Sequence, residues 1–107
     1  MAPEPVVFPF DRAGFRHVLL AREGDVCLVE RTNLHVKPPS VHWEVIVVQH
    51  RPAEVSQRGV NYPAREAYPG NEQWGEAGWT FTKESEAHAK MALLSPHRSR
   101  TATRRAG

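Results

Sequence analysis

The stretch VHWEVIVVQHR, residues 41–51, limits the folds open to this chain more than any other segment. Its density of β-branched and aromatic residues marks a strand. Side chains alternate faces along a strand, so Trp43, Val45, Val47 and Gln49 share one face, and His42, Glu44, Ile46, Val48 and His50 share the other. The odd set is the core face. The even set has polar ends, but Ile46 and Val48 require partial cover on that second face too. The N-terminal arm or another chain would supply it, and a second copy seated on Ile46 and Val48 makes self-association one partner expectation.

A chain of 107 residues is one domain with a single modest core. The remaining segments arrange themselves around the central strand. Residues 1–14 carry Pro3, Pro5 and Pro9 and read as an extended arm, with Val6, Val7, Phe8 and Phe10 lying against the body. FRHVLLAR (15–22) and VCLVER (26–31) are strands joined by the turn EGD, whose Gly24 is a hairpin signal. Pro38 and Pro39 make 32–40 a loop. Residues 52–73 show no sustained period, and structureless stretches of that length inside compact domains are often functional. GWTFT (78–82) is a short strand. In the helix that follows, Thr82 is the expected N-cap, Glu84 and Glu86 occupy the first turn, and Ser95-Pro96 ends it. Ala87, Met91 and Leu94 form its apolar stripe.

The predicted fold is α+β: a small antiparallel sheet of about four strands, in the order β-β-β-loop-β-α, with the C-terminal helix packed on one face. The domain spans 15–94. It is followed by a basic tail, SPHRSRTATRRAG (95–107), expected to be disordered and holding Arg98, Arg100, Arg104 and Arg105 with no acid. Without those four arginines the net charge of +2 falls to about −2, so the basic character belongs to the tail and not to a basic face. No apolar run approaches the roughly 18 residues of a membrane span, and no membrane partner is expected. The first residues lack the charge and apolar pattern of a signal peptide. Cys27 is the single cysteine, which excludes an internal disulfide and fits a reducing cytoplasm.

The segment REAYPGNEQWGEAGWTFTKESEAHAKM (65–91), preceded by VHWEVIVVQH, resembles a pattern in small uncharacterised bacterial and phage-type proteins. There an EV strand is followed by Glu-x-Tyr-Pro, Trp/Phe-Gly, an aromatic strand and an Ala-rich helix. The resemblance covers about residues 15–94. It implies a phage or mobile-element origin and no established activity. A second resemblance, to the WGR domain of some poly(ADP-ribose) polymerases, rests on TNLH (32–35), HWEVIVVQ (42–49) and WGEAG (74–78) in the same order. It implies a contribution to DNA binding. Glu76 stands where that family has its arginine, and the stretch between Gln49 and Trp74 is longer.

The chemistry-bearing residues are sparse. His42 and Glu44 form half a metal site that His17 or His35 would have to complete. His50 shares their face but lies ~26 Å from His42 at ~3.3 Å per residue, so it cannot join them. The zinc motifs HExxH and the Cys/His clusters are absent, as are phosphate-binding glycine loops and a serine nucleophile elbow. Neither metal nor cofactor is expected, and a small metal-dependent hydrolase ranks last. Cys27 on its strand reads as a buried, inert thiol. Trp74 and Trp79 read as rings that hold the loop and helix to the sheet, with Phe81 sharing the parity of Trp79. The function expected is a non-catalytic binding or accessory module that engages a protein partner. Its candidate surface is the 52–78 segment: Arg58, Tyr62, Arg65, Tyr68 and Trp74. The alternative is nucleic-acid binding through the tail arginines, whose phosphate contacts would give salt-dependent affinity without base specificity.

Overall fold

A computed structural model of the chain describes residues 4–95. The four tail arginines therefore lie outside the described residues. The main sheet has five antiparallel strands: β1 (Phe10–Arg12), β2 (Phe15–Glu23), β3 (Val26–Asn33), β4 (Ser40–Val47) and, at the far edge, Gly78–Phe81. Between them run β5 (Gln49–Arg51), β6 (Glu54–Val55), β7 (Asn61–Tyr62) and β8 (Arg65–Ala67), so Gly78–Phe81 is β9. The sheet order is β1-β2-β3-β4-β9, and helix α1 (Glu84–Leu94) packs on β3, β4 and β9. The fold is α+β, as the sequence predicts.

Two-residue turns set the register of the first three strands. Ala13 and Gly14 both have positive φ, 52° and 83°, between the paired residues Arg12 and Phe15. That geometry suits the right-handed twist of a hairpin. Gly24-Asp25 plays the same part between Glu23 and Val26.

The two faces of the sheet are closed by different parts of the chain. On one, Val26, Leu28 and Val45 meet Ala87 and Met91 of α1, with Trp43, Phe81 and Leu94 around them. The predicted stripe of the helix is thus the one it buries. Its cap differs from expectation: Lys83, not Thr82, precedes the first helical residue, and it makes no side-chain capping bond. On the other face, Cys27, Val29, Ile46 and Val48 are covered by Val6 and Phe8 of the arm and by Tyr68 and Trp74. Ile46 is fully buried and Val48 is 2% exposed, so the expected seat for a second copy is already filled from within the chain.

Two further expectations are corrected. The arm is not merely draped on the body, because its residues 10–12 become an edge strand of the sheet. The predicted strand 41–51 is two strands. At Val48 the backbone N–H donates to the Asp25 carbonyl at 2.7 Å, and the chain leaves the main ladder. His50 then pairs with Glu66 on β8 and places its ring 2.8 Å from Asp25. The stretch beyond it is not structureless: β5 pairs with β8 and β6 with β7, making one long hairpin that turns through 56–60. No sequence period marks it because its paired segments are only two or three residues long.

The arm is fastened to β8. Glu4 N–H donates to the Ala64 carbonyl, Glu66 N–H donates to the Glu4 carbonyl, and Val6 N–H donates to Glu66 Oε1 at 3.2 Å. Glu66 also takes a bidentate pair from Arg22, at 2.8 and 2.7 Å. The guanidinium bond, aided by the Val6 amide and opposed by partial burial, holds the Glu66 carboxyl down to about 2. The folded value lies below the ordinary carboxylate value, so this stabilisation is complete above about pH 4.5 and is lost as pH falls from there towards 2. Glu66→Gln is expected to cost about 1.5 kcal/mol at pH 6, the lower end for a charged hydrogen bond, because Arg22 is partly solvated. The gap between variant and wild type in urea unfolding should shrink steadily from pH 4.5 to pH 2. A gap independent of pH would assign the loss to shape and not to charge.

Candidate functional site

The register places a patch of unusual residues on the arm side of the sheet. Phe10 pairs with His17, His17 with Arg31, and Arg31 with His42, all pointing the same way. One step along are Arg12 and Phe15; one step the other way are Glu44 and its partner Thr80. Residues 68–74 cross over this patch: Tyr68-Pro69-Gly70, then a short 3-10 turn (Asn71–Gln73), then Trp74. Between crossing segment and sheet lies a cavity of about 650 Å³.

At its floor is a cluster of polar groups largely shut away from solvent. Glu44 is 2% exposed. Its Oε2 lies 3.1 Å from Arg31 Nη1, and its Oε1 accepts a 2.5 Å hydrogen bond from the Tyr68 hydroxyl. Burial and the neighbouring carboxylate push the Tyr68 hydroxyl well above the ordinary tyrosine value, so it stays a proton donor. His17 Nε2 is 4.0 Å from Glu44 Oε1, beyond hydrogen-bond reach. Burial lowers His17 below the usual histidine value and outweighs the attraction of Glu44, so the ring is neutral at pH 7. Phe10 stacks on it with centroids 4.4 Å apart, and Tyr68 meets both rings edge-on at 5.4 and 5.5 Å. His17 Nδ1 and Arg31 Nε make no hydrogen bond of good geometry. The Arg31 guanidinium lies 4.5 Å over the Phe15 ring, a cation–π contact.

The opposite wall is built on Trp74. Its ring lies flat on Gly78, and its Nε1–H donates to Thr80 Oγ1 at 3.0 Å. Trp79, one residue after Gly78, points to the other face of the sheet, where Lys90 Nζ sits 4.2 Å from its ring. The two tryptophans thus clamp β9 from opposite sides.

No family model, curated protein or solved structure matches this chain. The site is therefore read from its own groups.

The five predicted surface residues divide into two places. Tyr68 and Trp74 line the cavity. Arg58, Tyr62 and Arg65 sit on the outer hairpin, where Arg65 bonds Glu54 at 3.3 Å and lies 5.8 Å over the Tyr62 ring. They do not form one surface because the hairpin carries its residues away from the sheet, while the chain after Ala67 turns back across it. Of the half metal site, His17 does approach Glu44, but Tyr68 and Arg31 occupy both carboxylate oxygens. Among the described residues no group of three His, Cys, Asp or Glu side chains is placed to hold a metal, and no helix is long and apolar enough to cross a membrane. Cys27 is fully buried, and desolvation pushes its thiol up to about 11.

Sequence reasoning missed Arg31, Phe15, Arg12 and Glu72. The available signal was parity: once Cys27 and Val29 are assigned to the second face of β3, Arg31 must follow them there.

Proposed function

We propose that this protein is a non-catalytic binding module whose ligand seats in the cavity between the arm side of the sheet and residues 68–74. The observation that carries this reading is the convergence on one concave space of two arginines, two carboxylates and several aromatic rings from four strands and the crossing segment. Its volume of about 650 Å³ falls within the roughly 300–1,000 Å³ of small-molecule sites. The floor supports binding over catalysis. Glu44, Arg31 and Tyr68 are engaged with one another, and the Tyr68 proton is held firmly. Groups so occupied fix a shape and a field and are poor agents of proton transfer.

A second reading, a protein partner on the outer hairpin, draws support from Val55, Val60 and Tyr62, which are 66%, 49% and 43% exposed on one small element. Backbone amide NMR of the intact chain with a small-molecule fragment library separates the two. Shifts clustered at residues 12–17, 68–74 and 80 are the expected result. Hits confined to 54–62 would move the function to the hairpin, and an absence of hits at the cavity would end the first reading. The nucleic-acid alternative rests on the WGR resemblance and on tail residues outside the described structure. A salt-series titration with short DNA and RNA tests it. Salt-dependent binding that persists in a version ending at Leu94 would favour a phosphate-reading face on the body. Binding by the intact chain alone would make the tail a nonspecific electrostatic handle, and binding by neither would end this alternative.

A further inference from the structure

The binding reading leaves open what kind of molecule the cavity takes, and the distribution of charge narrows it. At the floor the charges cancel. Arg31 and Glu44 are paired at 3.1 Å, and His17 and Tyr68 are neutral. The rim differs. Arg12 projects from β1 on the sheet side, and Glu72 projects from the 3-10 turn on the covering side, and both line the cavity. Both are exposed, and among the described residues neither belongs to an ion pair. One unpaired cation and one unpaired anion thus face the same space from different walls. The same cavity is lined by flat aromatic groups among its polar ones: the Trp74 indole, Tyr68, and Phe15 with the planar Arg31 guanidinium over it.

We propose that the cavity binds a zwitterionic aromatic molecule, of which a free aromatic amino acid is the simplest example: its ring lies among Phe15, Tyr68 and Trp74, its carboxylate meets Arg12, and its ammonium meets Glu72. This rests on the binding reading above. The other charge types fit less well. A simple anion gains Arg12 but is repelled by Glu72, and a simple cation meets the reverse. An uncharged ring leaves both rim groups unused. A ligand bearing both charges gains twice, and arginine is well shaped to meet a carboxylate through two parallel N–H bonds.

The test is calorimetric titration of the full 107-residue chain with L-tryptophan, L-tyrosine and L-phenylalanine at millimolar concentration. Two further ligands keep the indole and lose one charge: indole-3-propionate lacks the ammonium and tryptamine lacks the carboxylate. At least one of the amino acids is expected to bind. If that is tryptophan, each single-charge analogue should be at least tenfold weaker; for tyrosine or phenylalanine, the matching decarboxylated and deaminated analogues serve. Arg12→Gln should weaken the zwitterion about tenfold without weakening the amine, which loses a repulsive neighbour. Glu72→Gln should weaken the zwitterion similarly without weakening the acid, for the same reason. Both positions are solvent-exposed, and circular dichroism verifies that each variant is folded. Equal affinity for zwitterion and analogues, or indifference of the zwitterion to both substitutions, overturns the proposal. So does failure of all three amino acids to bind. In that last case fragment shifts at the cavity would leave the binding module standing with another ligand class, whereas their absence would remove both.

Discussion

Replacing Glu44 by leucine is expected to lower the unfolding free energy by about 3 kcal/mol. The carboxylate sits in the middle of a strand, its side chain 3% exposed, and neutralises Arg31 while accepting a hydrogen bond from the Tyr68 hydroxyl. Leucine leaves a guanidinium with no counter-charge and a hydroxyl with no acceptor, each enclosed by the arm and the crossing segment. The loss should stay at the lower end of the roughly 3–5 kcal/mol for breaking a buried pair, because a quarter of the Arg31 side chain still reaches solvent. Glu44→Gln keeps an acceptor for Tyr68 and removes only the charge, so it should cost about half as much. The triple change Arg31→Met, Glu44→Leu, Tyr68→Phe should recover most of the loss, since an apolar set of similar volume has nothing to leave unpaired. Urea unfolding of the three variants at pH 7 decides the point. A triple variant no more stable than Glu44→Leu alone would mean that the polar cluster stabilises the fold in its own right.

The cluster also shows where sequence reasoning succeeds and where it stops. The alternation in 41–51 correctly assigns Val45 to one face and Ile46 to the other, because strand parity is a local property of the backbone. The same rule places Ala87 and Met91 beneath the helix. What covers the second face is not local. Tyr68 reaches Glu44 across 24 positions, and Arg22 reaches Glu66 across 44. No period in the intervening chain encodes those distances, since the hairpin between them is held by short ladders and turn bonds. The cavity is a product of that return path. Parity places Arg31 on the sheet wall once Cys27 and Val29 are assigned, although Arg31 itself was missed. Tyr68 and Trp74 of the covering wall were named without anything local to put them over the sheet. Arg58, Tyr62 and Arg65 looked equivalent to Tyr68 and Trp74 in sequence because all five lie in one unpatterned stretch. The point where the chain turns back, after Ala67, separates them.

Gly78→Val is expected to cost about 2–3 kcal/mol, the upper part of the range for overpacking a filled site. A Cβ at this position would lie 2.5 Å from Trp74 Cζ3 and 2.6 Å from Cε3, closer than two carbons tolerate. The indole cannot easily give way. Its Nε1–H is bonded to Thr80, and its backbone is held by Asn71 and by the bridge to Gly78 itself. Gly75, with φ of 95°, turns the chain so that Trp74 folds back over the strand. The spacing Trp74-Gly75-x-x-Gly78-Trp79 therefore has a physical reading. One glycine supplies the turn, the other supplies a bare strand surface for the first ring, and the next residue sends the second ring to the opposite face. On that account the Gly78→Val and Trp74→Ala losses cannot add, because removing the ring removes the clash. The double variant should be more stable than the sum of the single losses predicts by about 1–2 kcal/mol, within the range for residues in contact. Full additivity in urea unfolding would mean that Gly78 is required for some other reason than the indole lying on it.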